Sequence, residues 1–102
     1  MTAAVLSPRV RNELTAATRW ISKNNRAAAR GLRETVAAAA GRIDRHPAIG
    51  DIRNDFLPEP YRFVSLTGLP YVIVYNVERN PPLIVAVLHT ARDLQRVLRD
   101  VE

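Results

Sequence analysis

Three apolar runs in the second half of the chain set the tightest limit on its fold. They cover residues 61–66, 71–77 and 83–89, and each is rich in β-branched and aromatic side chains. The connections between them, TGLP and ERNPP, contain turn-forming residues that interrupt a strand. The runs therefore predict an antiparallel meander. The middle run, YVIVYNV, is apolar at both alternating positions, which predicts a central strand covered on both faces.

Two amphipathic helices are predicted before the meander. Ser7 and Pro8 are typical of an N-cap followed by proline in the first helical turn, and Asn25 can cap a second helix. The apolar stripes, spaced by three and four residues, are Val10, Leu14, Ala17 and Ile21, then Ala29, Leu32, Val36, Ala39 and Ile43. The short turn between the helices predicts an antiparallel hairpin. Trp20 flanks the first stripe, and we expect it to pack against the second helix.

Each end of the chain adds a short element. Residues 3–6 predict a short first strand, and residues 94–101 have apolar side chains at the spacing of a short helix. Thr90 and Asp93 have the spacing of a capping box at the start of that helix. The predicted fold class is α+β, with a short N-terminal strand, an antiparallel helical hairpin packed on a small antiparallel sheet, and a short C-terminal helix.

The composition excludes several classes of protein. A chain of 102 residues suffices for one core, so we expect a single domain over residues 1–102. It has no cysteine, which excludes disulfides and thiolate chemistry. It lacks an apolar run of membrane-spanning length and the pattern of a signal peptide, so we expect a cytoplasmic protein without membrane contact. His46 and His89 have no further ligands near them in sequence, and we predict neither a metal nor a cofactor.

Arginine dominates the charge of the chain. The net charge is +5, and of fifteen basic residues only Lys23 is a lysine. Guanidinium groups suit bidentate contacts to carboxylate or phosphate, although a bias towards GC-rich codons explains the excess equally well. In either case the positive field favours an acidic partner or nucleic acid. Arg26, Arg30 and Arg33 form a basic ridge on the outer side of the helical hairpin, whose simplest interpretation is a solvated face.

The order of the elements and several short motifs resemble a known family. The motifs SPRVRNEL, NNRAAARGL, HPAIGDIR, YRFV, YVIVY and VLHTARDL follow one another over nearly the whole chain. No single motif is decisive, but their order and spacing resemble the ParE branch of the RelE/ParE toxin superfamily. Its members are the toxins of bacterial type II toxin–antitoxin pairs.

This resemblance implies a target and a partner. ParE-like toxins poison DNA gyrase by stabilising its cleaved DNA complex, whereas RelE-like toxins cut mRNA in the ribosomal A site. Both are neutralised by a cognate antitoxin, whose C-terminal segment is commonly acidic, is disordered when free, and folds over the toxin. The implied partner is a ParD-like antitoxin, and the implied target is gyrase. Nucleic acid is contacted only indirectly, through gyrase or the operator complex.

A missing aromatic residue bears on the choice between these activities. Metal-free RNA cleavage needs a base, an acid and cations around the phosphate. Many RelE-like nucleases carry a tyrosine about six residues beyond the arginine that follows the last strand. Counting from Arg92 gives Leu98 here, and no aromatic residue follows Tyr75. A substitute cluster for cleavage would consist of Arg53, Arg62, Arg79 and His89.

We therefore expect a toxin that binds gyrase and is not an enzyme. A ribosome-dependent endoribonuclease is the second interpretation, and a toxin-like binding module without activity is the third. The target-binding candidates are Arg62, His89, Arg92, Arg96 and Arg99. The antitoxin-binding candidates are Arg19, Trp20, Arg26, Arg30 and Arg33. No catalytic or metal-binding residue is assigned.

Three target-binding candidates have a structural alternative. Arg62 and Arg92 could form surface ion pairs, which contribute about 0 to 1 kcal/mol. The acids available for such pairs are Asp51, Asp55 and Asp93. His89 alternates with Val85 and Val87, so we expect it on their face of the sheet. For His89 we favour a hydrogen-bonded role that holds the turn after the last strand.

Overall fold

The computed structural model describes residues 3–90 and residue 93. The elements are β1 (Val5–Leu6), α1 (Pro8–Ser22), α2 (Arg26–Arg45), β2 (Tyr61–Ser65), β3 (Tyr71–Asn76) and β4 (Leu83–His89), with a 3-10 turn at Pro47–Ile49 after α2. This order confirms the predicted α+β class. The predicted terminal helix over residues 94–101 lies outside the described residues.

The sheet has four strands in the order β1, β4, β3, β2. β2 pairs antiparallel with β3, and β3 pairs antiparallel with β4, which confirms the meander. β1 pairs parallel with β4, Val5 lying opposite Leu83, so the sheet is mixed and not wholly antiparallel. A parallel pair needs a long connection, and the helical hairpin together with the first two meander strands supplies it.

Both helices begin at the caps that the sequence predicts. The Ser7 hydroxyl accepts from the Val10 N–H at 3.2 Å, and the Asn25 side chain accepts from the Ala28 N–H at 2.9 Å. The predicted stripe of α2 is buried at all five positions, whereas the stripe of α1 is buried at Val10 and half-buried elsewhere. The spacing of apolar residues therefore identifies the faces with which the hairpin covers the sheet.

Trp20 does not pack where the sequence placed it. The residue is 68% exposed, so the prediction that it packs against α2 is wrong. Arg19 is the neighbour that faces α2, and successive helical residues point about 100° apart. Trp20 is therefore turned away from α2, and its ring lies under the Lys23 ammonium, 5.4 Å from the ring centroid.

The sheet has a hydrophobic cluster on each face. The helical-side cluster includes Val10, Leu32, Val36, Ile43, Ile73, Tyr75 and Ile84. The opposite cluster consists of Leu57, Phe63, Val72, Val74, Ala86 and Leu88, with Phe56, Tyr61 and Val85 packed against it. The four residues from Val72 to Tyr75 are all buried. β3 is therefore a central strand covered on both faces, as predicted.

A β-bulge in β4 changes which side chains share a face. The pairing with β3 skips Val85, which is the extra residue of the bulge. Val87 packs with the helical-side cluster and Val85 with the opposite cluster. The His89 ring meets Tyr71 of the helical side edge-on, with centroids 5.4 Å apart. His89 thus lies on the face of Val87, and its predicted sharing of a face with Val85 is wrong.

The turn after β4 is held differently from the predicted capping box. The Asp93 carboxylate accepts from the His89 N–H at 3.3 Å, one residue before the N–H that the box requires. The Asp93 N–H in turn donates to the His89 carbonyl at 2.9 Å. The Thr90 hydroxyl donates to the Pro70 carbonyl at 3.3 Å, which ties this turn to the β2–β3 connection.

Candidate functional site

A groove of about 380 Å³ runs between α1 and α2. Its lining residues are Thr15, Thr18, Arg19, Ser22, Arg26, Ala29, Arg30 and Arg33. None of these described lining residues is acidic. Four of the five antitoxin-binding candidates therefore surround one concave surface, which we call the arginine groove, and Trp20 lies outside it.

The sequence spacing explains why the arginines converge. Arg26, Arg30 and Arg33 are separated by four and three residues, so their side chains lie on the same side of α2. Arg19 lies opposite them on α1. Like charges four residues apart destabilise a helix by about 0.2 to 0.5 kcal/mol per pair. Within residues 3–90 and 93, none of the four forms an ion pair. The groove is therefore a concentrated positive surface that suits an anionic ligand.

A buried threonine holds one of these arginines. Thr18 is 2% exposed, and its hydroxyl donates to the Thr15 carbonyl at 3.0 Å while it accepts from Arg33 Nη2 at 3.2 Å. The Ser22 hydroxyl similarly donates to the Arg19 carbonyl at 2.9 Å. Because both hydroxyl groups donate their protons to the backbone of α1, Thr18 and Ser22 do not donate to a ligand. The guanidinium groups are the charged hydrogen-bond donors of the groove.

Two side chains fasten the HPAIG turn after α2 to the sheet. The Tyr75 hydroxyl donates to the Pro47 carbonyl and accepts from the Gly50 N–H at 2.9 Å. Arg62 lies opposite Tyr75 in the β2–β3 register. Its Nη1 donates to the carbonyl oxygens of Gly50 at 2.7 Å and Ala48 at 3.3 Å. The predicted alternative of an ion pair for Arg62 is therefore wrong, because its partners are backbone carbonyls.

Gly50 and Tyr75 are residues whose part in the site the sequence did not reveal. A Cβ at Gly50 would lie 2.8 Å from the Tyr75 hydroxyl and ring edge, and 3.0 Å from Arg62 Cβ. Only a residue without a Cβ allows this close approach. Burial raises the pKa of the Tyr75 hydroxyl above its usual value, which keeps the proton that bonds to Pro47. The paired positions of Arg62 and Tyr75 would have revealed the anchor only with the strand register known.

The target-binding candidates are only partly described. Arg92, Arg96 and Arg99 lie outside the described residues. Arg62 and His89 lie on the helical side of the sheet but pair with β3 at Tyr75 and Tyr71, about 13 Å apart along the strand. The structure therefore does not bring Arg62 and His89, two members of the substitute cleavage cluster, around one phosphate.

One acid of the connection after α2 is paired within that connection. Arg53 and Asp55 form an ion pair at 2.9 Å, and this hydrogen bond lowers the pKa of the Asp55 carboxyl. Across residues 3–90 and 93, no three histidine or acidic side chains come together in a way that could hold a metal ion. The helices within the same residues are too short or too polar to cross a membrane.

A comparison with families of known proteins decides the family. Residues 4–94 match the family described as the ParE toxin of type II toxin–antitoxin system, parDE. The chain belongs to the ParE toxin family. This match confirms the resemblance noted from the motifs. The matched residues include the arginine groove and the HPAIG turn. A ParE toxin of a type II system has a cognate antitoxin as its partner. No curated protein gives a significant match to the chain.

Proposed function

We propose that this ParE toxin inhibits DNA gyrase in the cytoplasm by stabilising its cleaved complex with DNA. It acts by binding, as a single domain without metal or cofactor, and a ParD-like antitoxin neutralises it. The observation that carries the choice is the separation of Arg62 from His89 along β3. Arg62 also donates through Nη1 to two carbonyl oxygens of the HPAIG turn, which holds its guanidinium at that turn and away from His89.

Purified toxin, incubated with gyrase, ATP and supercoiled plasmid and then trapped with detergent and protease, tests this proposal. We expect linear plasmid that depends on the toxin and disappears when the antitoxin is added. A parallel reaction with programmed ribosomes should leave mRNA intact. Cleaved mRNA with intact plasmid would instead establish the endoribonuclease, and no change in either reaction would favour a binding module without activity.

Target binding is proposed for Arg62 on β2 and for the residues at and after the end of β4, namely His89, Arg92, Arg96 and Arg99. The single substitution that tests this surface is Arg92→Ala, because the arginine directly follows the HTA sequence after the last strand. We expect the variant to lose toxicity while it still binds antitoxin. A variant that arrests growth as well as wild type at matched expression would remove Arg92 from the target surface.

Antitoxin binding is proposed for the helical hairpin, at Arg19, Trp20, Arg26, Arg30 and Arg33. Guanidinium groups beside Ala29, in a groove whose lining is more apolar than polar, suit an amphipathic segment that carries both carboxylates and apolar side chains. The exposed indole of Trp20 on the neighbouring side of α1 offers an aromatic contact, the type enriched at binding hot spots. The segment would then contact more than the groove alone.

A further inference from the structure

The arginine groove contains one cation whose direction is set by the opposite wall. Arg33 belongs to α2, but its Nη2 reaches across to the Thr18 hydroxyl on α1. That hydroxyl uses its proton on the Thr15 carbonyl, so it offers Arg33 an acceptor lone pair. Among the described residues, Arg19, Arg26 and Arg30 have no such side-chain partner.

The burial of Thr18 indicates that its hydroxyl serves this contact. Thr18 is the single buried residue with an aliphatic polar side chain in the part of the chain that the structure describes. A valine would occupy nearly the same volume without placing a hydroxyl in the interface between two helices. The Thr15 carbonyl that takes the proton lies within a helix and has a backbone donor of its own. The distinctive role of the hydroxyl is therefore to accept from Arg33.

We propose that Thr18 is a positioning residue for carboxylate recognition in the arginine groove. By holding one Nη of Arg33, it directs the remaining N–H donors into the groove and removes part of the ordering cost of binding. The ligand class is an acidic, amphipathic peptide segment, because the groove has Ala29 in its lining and more apolar than polar surface, which a phosphate chain would not use. This inference rests on the proposed function, in which the segment belongs to the antitoxin.

The test uses the full chain and a fluorescein-labelled helical peptide of about eighteen residues, built from leucine, alanine and glutamate. Fluorescence anisotropy gives its Kd for wild type and for Thr18→Val. We expect Thr18→Val to bind roughly twofold to tenfold more weakly, because Arg33 must then be ordered by the ligand. Thr35→Val is the matched control, since the Thr35 hydroxyl also donates to a backbone carbonyl of its own helix, that of Gly31, but Thr35 does not line the groove. Thr18→Ser should restore wild-type affinity.

A double-mutant cycle separates positioning from a general structural effect. In an Arg33→Gln background, Thr18→Val should cause no further loss of peptide affinity. An unchanged Kd for Thr18→Val in the wild-type background would overturn the inference, and so would an equal loss in both backgrounds. The carboxylate class would be overturned if a single-stranded DNA of about twelve nucleotides required Thr18 while the peptide did not. The gyrase reaction is independent of this assay, so failure of either result can be told from failure of the other.

Discussion

At the residue scale, the hydrogen bonds that Arg62 and Tyr75 make attach the HPAIG turn to the sheet. Both side chains form hydrogen bonds to the backbone of residues 47–50. The buried Tyr75 hydroxyl donates to the Pro47 carbonyl and accepts from the Gly50 N–H, and Arg62 donates to the Gly50 carbonyl. Sequence alone identified HPAIG and Arg62 as features, but it could not pair them. The pairing depends on the β2–β3 register, which brings distant residues together and leaves no local mark on the sequence.

Gly50→Ala tests the close approach at the anchor. The added Cβ would meet Tyr75 at 2.8 Å, so the HPAIG turn must move away from the sheet. We expect the free energy of unfolding to fall by about 1 to 3 kcal/mol, measured by urea denaturation. Gly31→Ala is the control, since nothing lies within 4 Å of its Cβ position in α2 and alanine favours helix. Equal stability of both variants would contradict the account.

Tyr75→Phe tests the hydroxyl itself. It leaves the Pro47 carbonyl and the Gly50 N–H without their partner, so we expect a loss of about 1 to 3 kcal/mol in the free energy of unfolding. Tyr71→Phe, whose hydroxyl makes no hydrogen bond with another described residue, should change stability much less. A loss of the same size in both variants would assign the effect to the ring environment and not to the anchor.

The raised pKa of Tyr75 gives this anchor a pH dependence. The folded state holds the phenol proton more tightly than the unfolded state, so stability is fully present below pH about 10 and falls as pH rises through the folded-state pKa. Unfolding measured between neutral and strongly alkaline pH should show a shallower alkaline decline in Tyr75→Phe than in wild type. Identical slopes would show that the buried phenol does not contribute to alkaline unfolding.

At the element scale, the helices were the most predictable part of the molecule. The caps at Ser7 and Asn25 and the stripe of α2 depend on neighbours within a few residues, so the sequence reports them directly. The parallel pairing of β1 and the bulge at Val85 depend on contacts between distant segments. Neither feature could be predicted from neighbouring residues in the sequence. The face of Val85 was mispredicted because a bulge interrupts the alternation of side chains between the two faces of a strand.

Trp20→Ala tests the hairpin as a binding element. Trp20 is 68% exposed, so we expect removal of its indole to change the free energy of unfolding by less than about 0.5 kcal/mol. Antitoxin affinity measured by calorimetry should nevertheless fall by about tenfold or more, as for an aromatic hot spot. Normal affinity together with normal stability would place the antitoxin away from this side of α1.

At the scale of the whole molecule, the candidate surfaces occupy different regions. The arginine groove lies between the helices of the hairpin, whereas the described target-binding candidates lie on the sheet at β2 and the end of β4. The sequence predicted the arginine ridge, but it did not show that Arg19 completes a groove. Which sides of two helices lie opposite each other depends on tertiary packing. If both proposed surfaces are correct, we expect substitutions in the groove to weaken antitoxin control without removing the action on the target.

We propose that target inhibition and antitoxin binding use separate surfaces, and the gyrase cleavage reaction with increasing antitoxin tests this separation. We expect Arg26→Gln/Arg30→Gln to produce as much linear plasmid as wild type but to require about tenfold more antitoxin for half reversal. Arg45→Gln/Arg79→Gln removes the same charge from exposed positions outside the groove and should behave as wild type. Loss of linear plasmid in the groove variant, or reversal at the wild-type antitoxin concentration, would contradict the account.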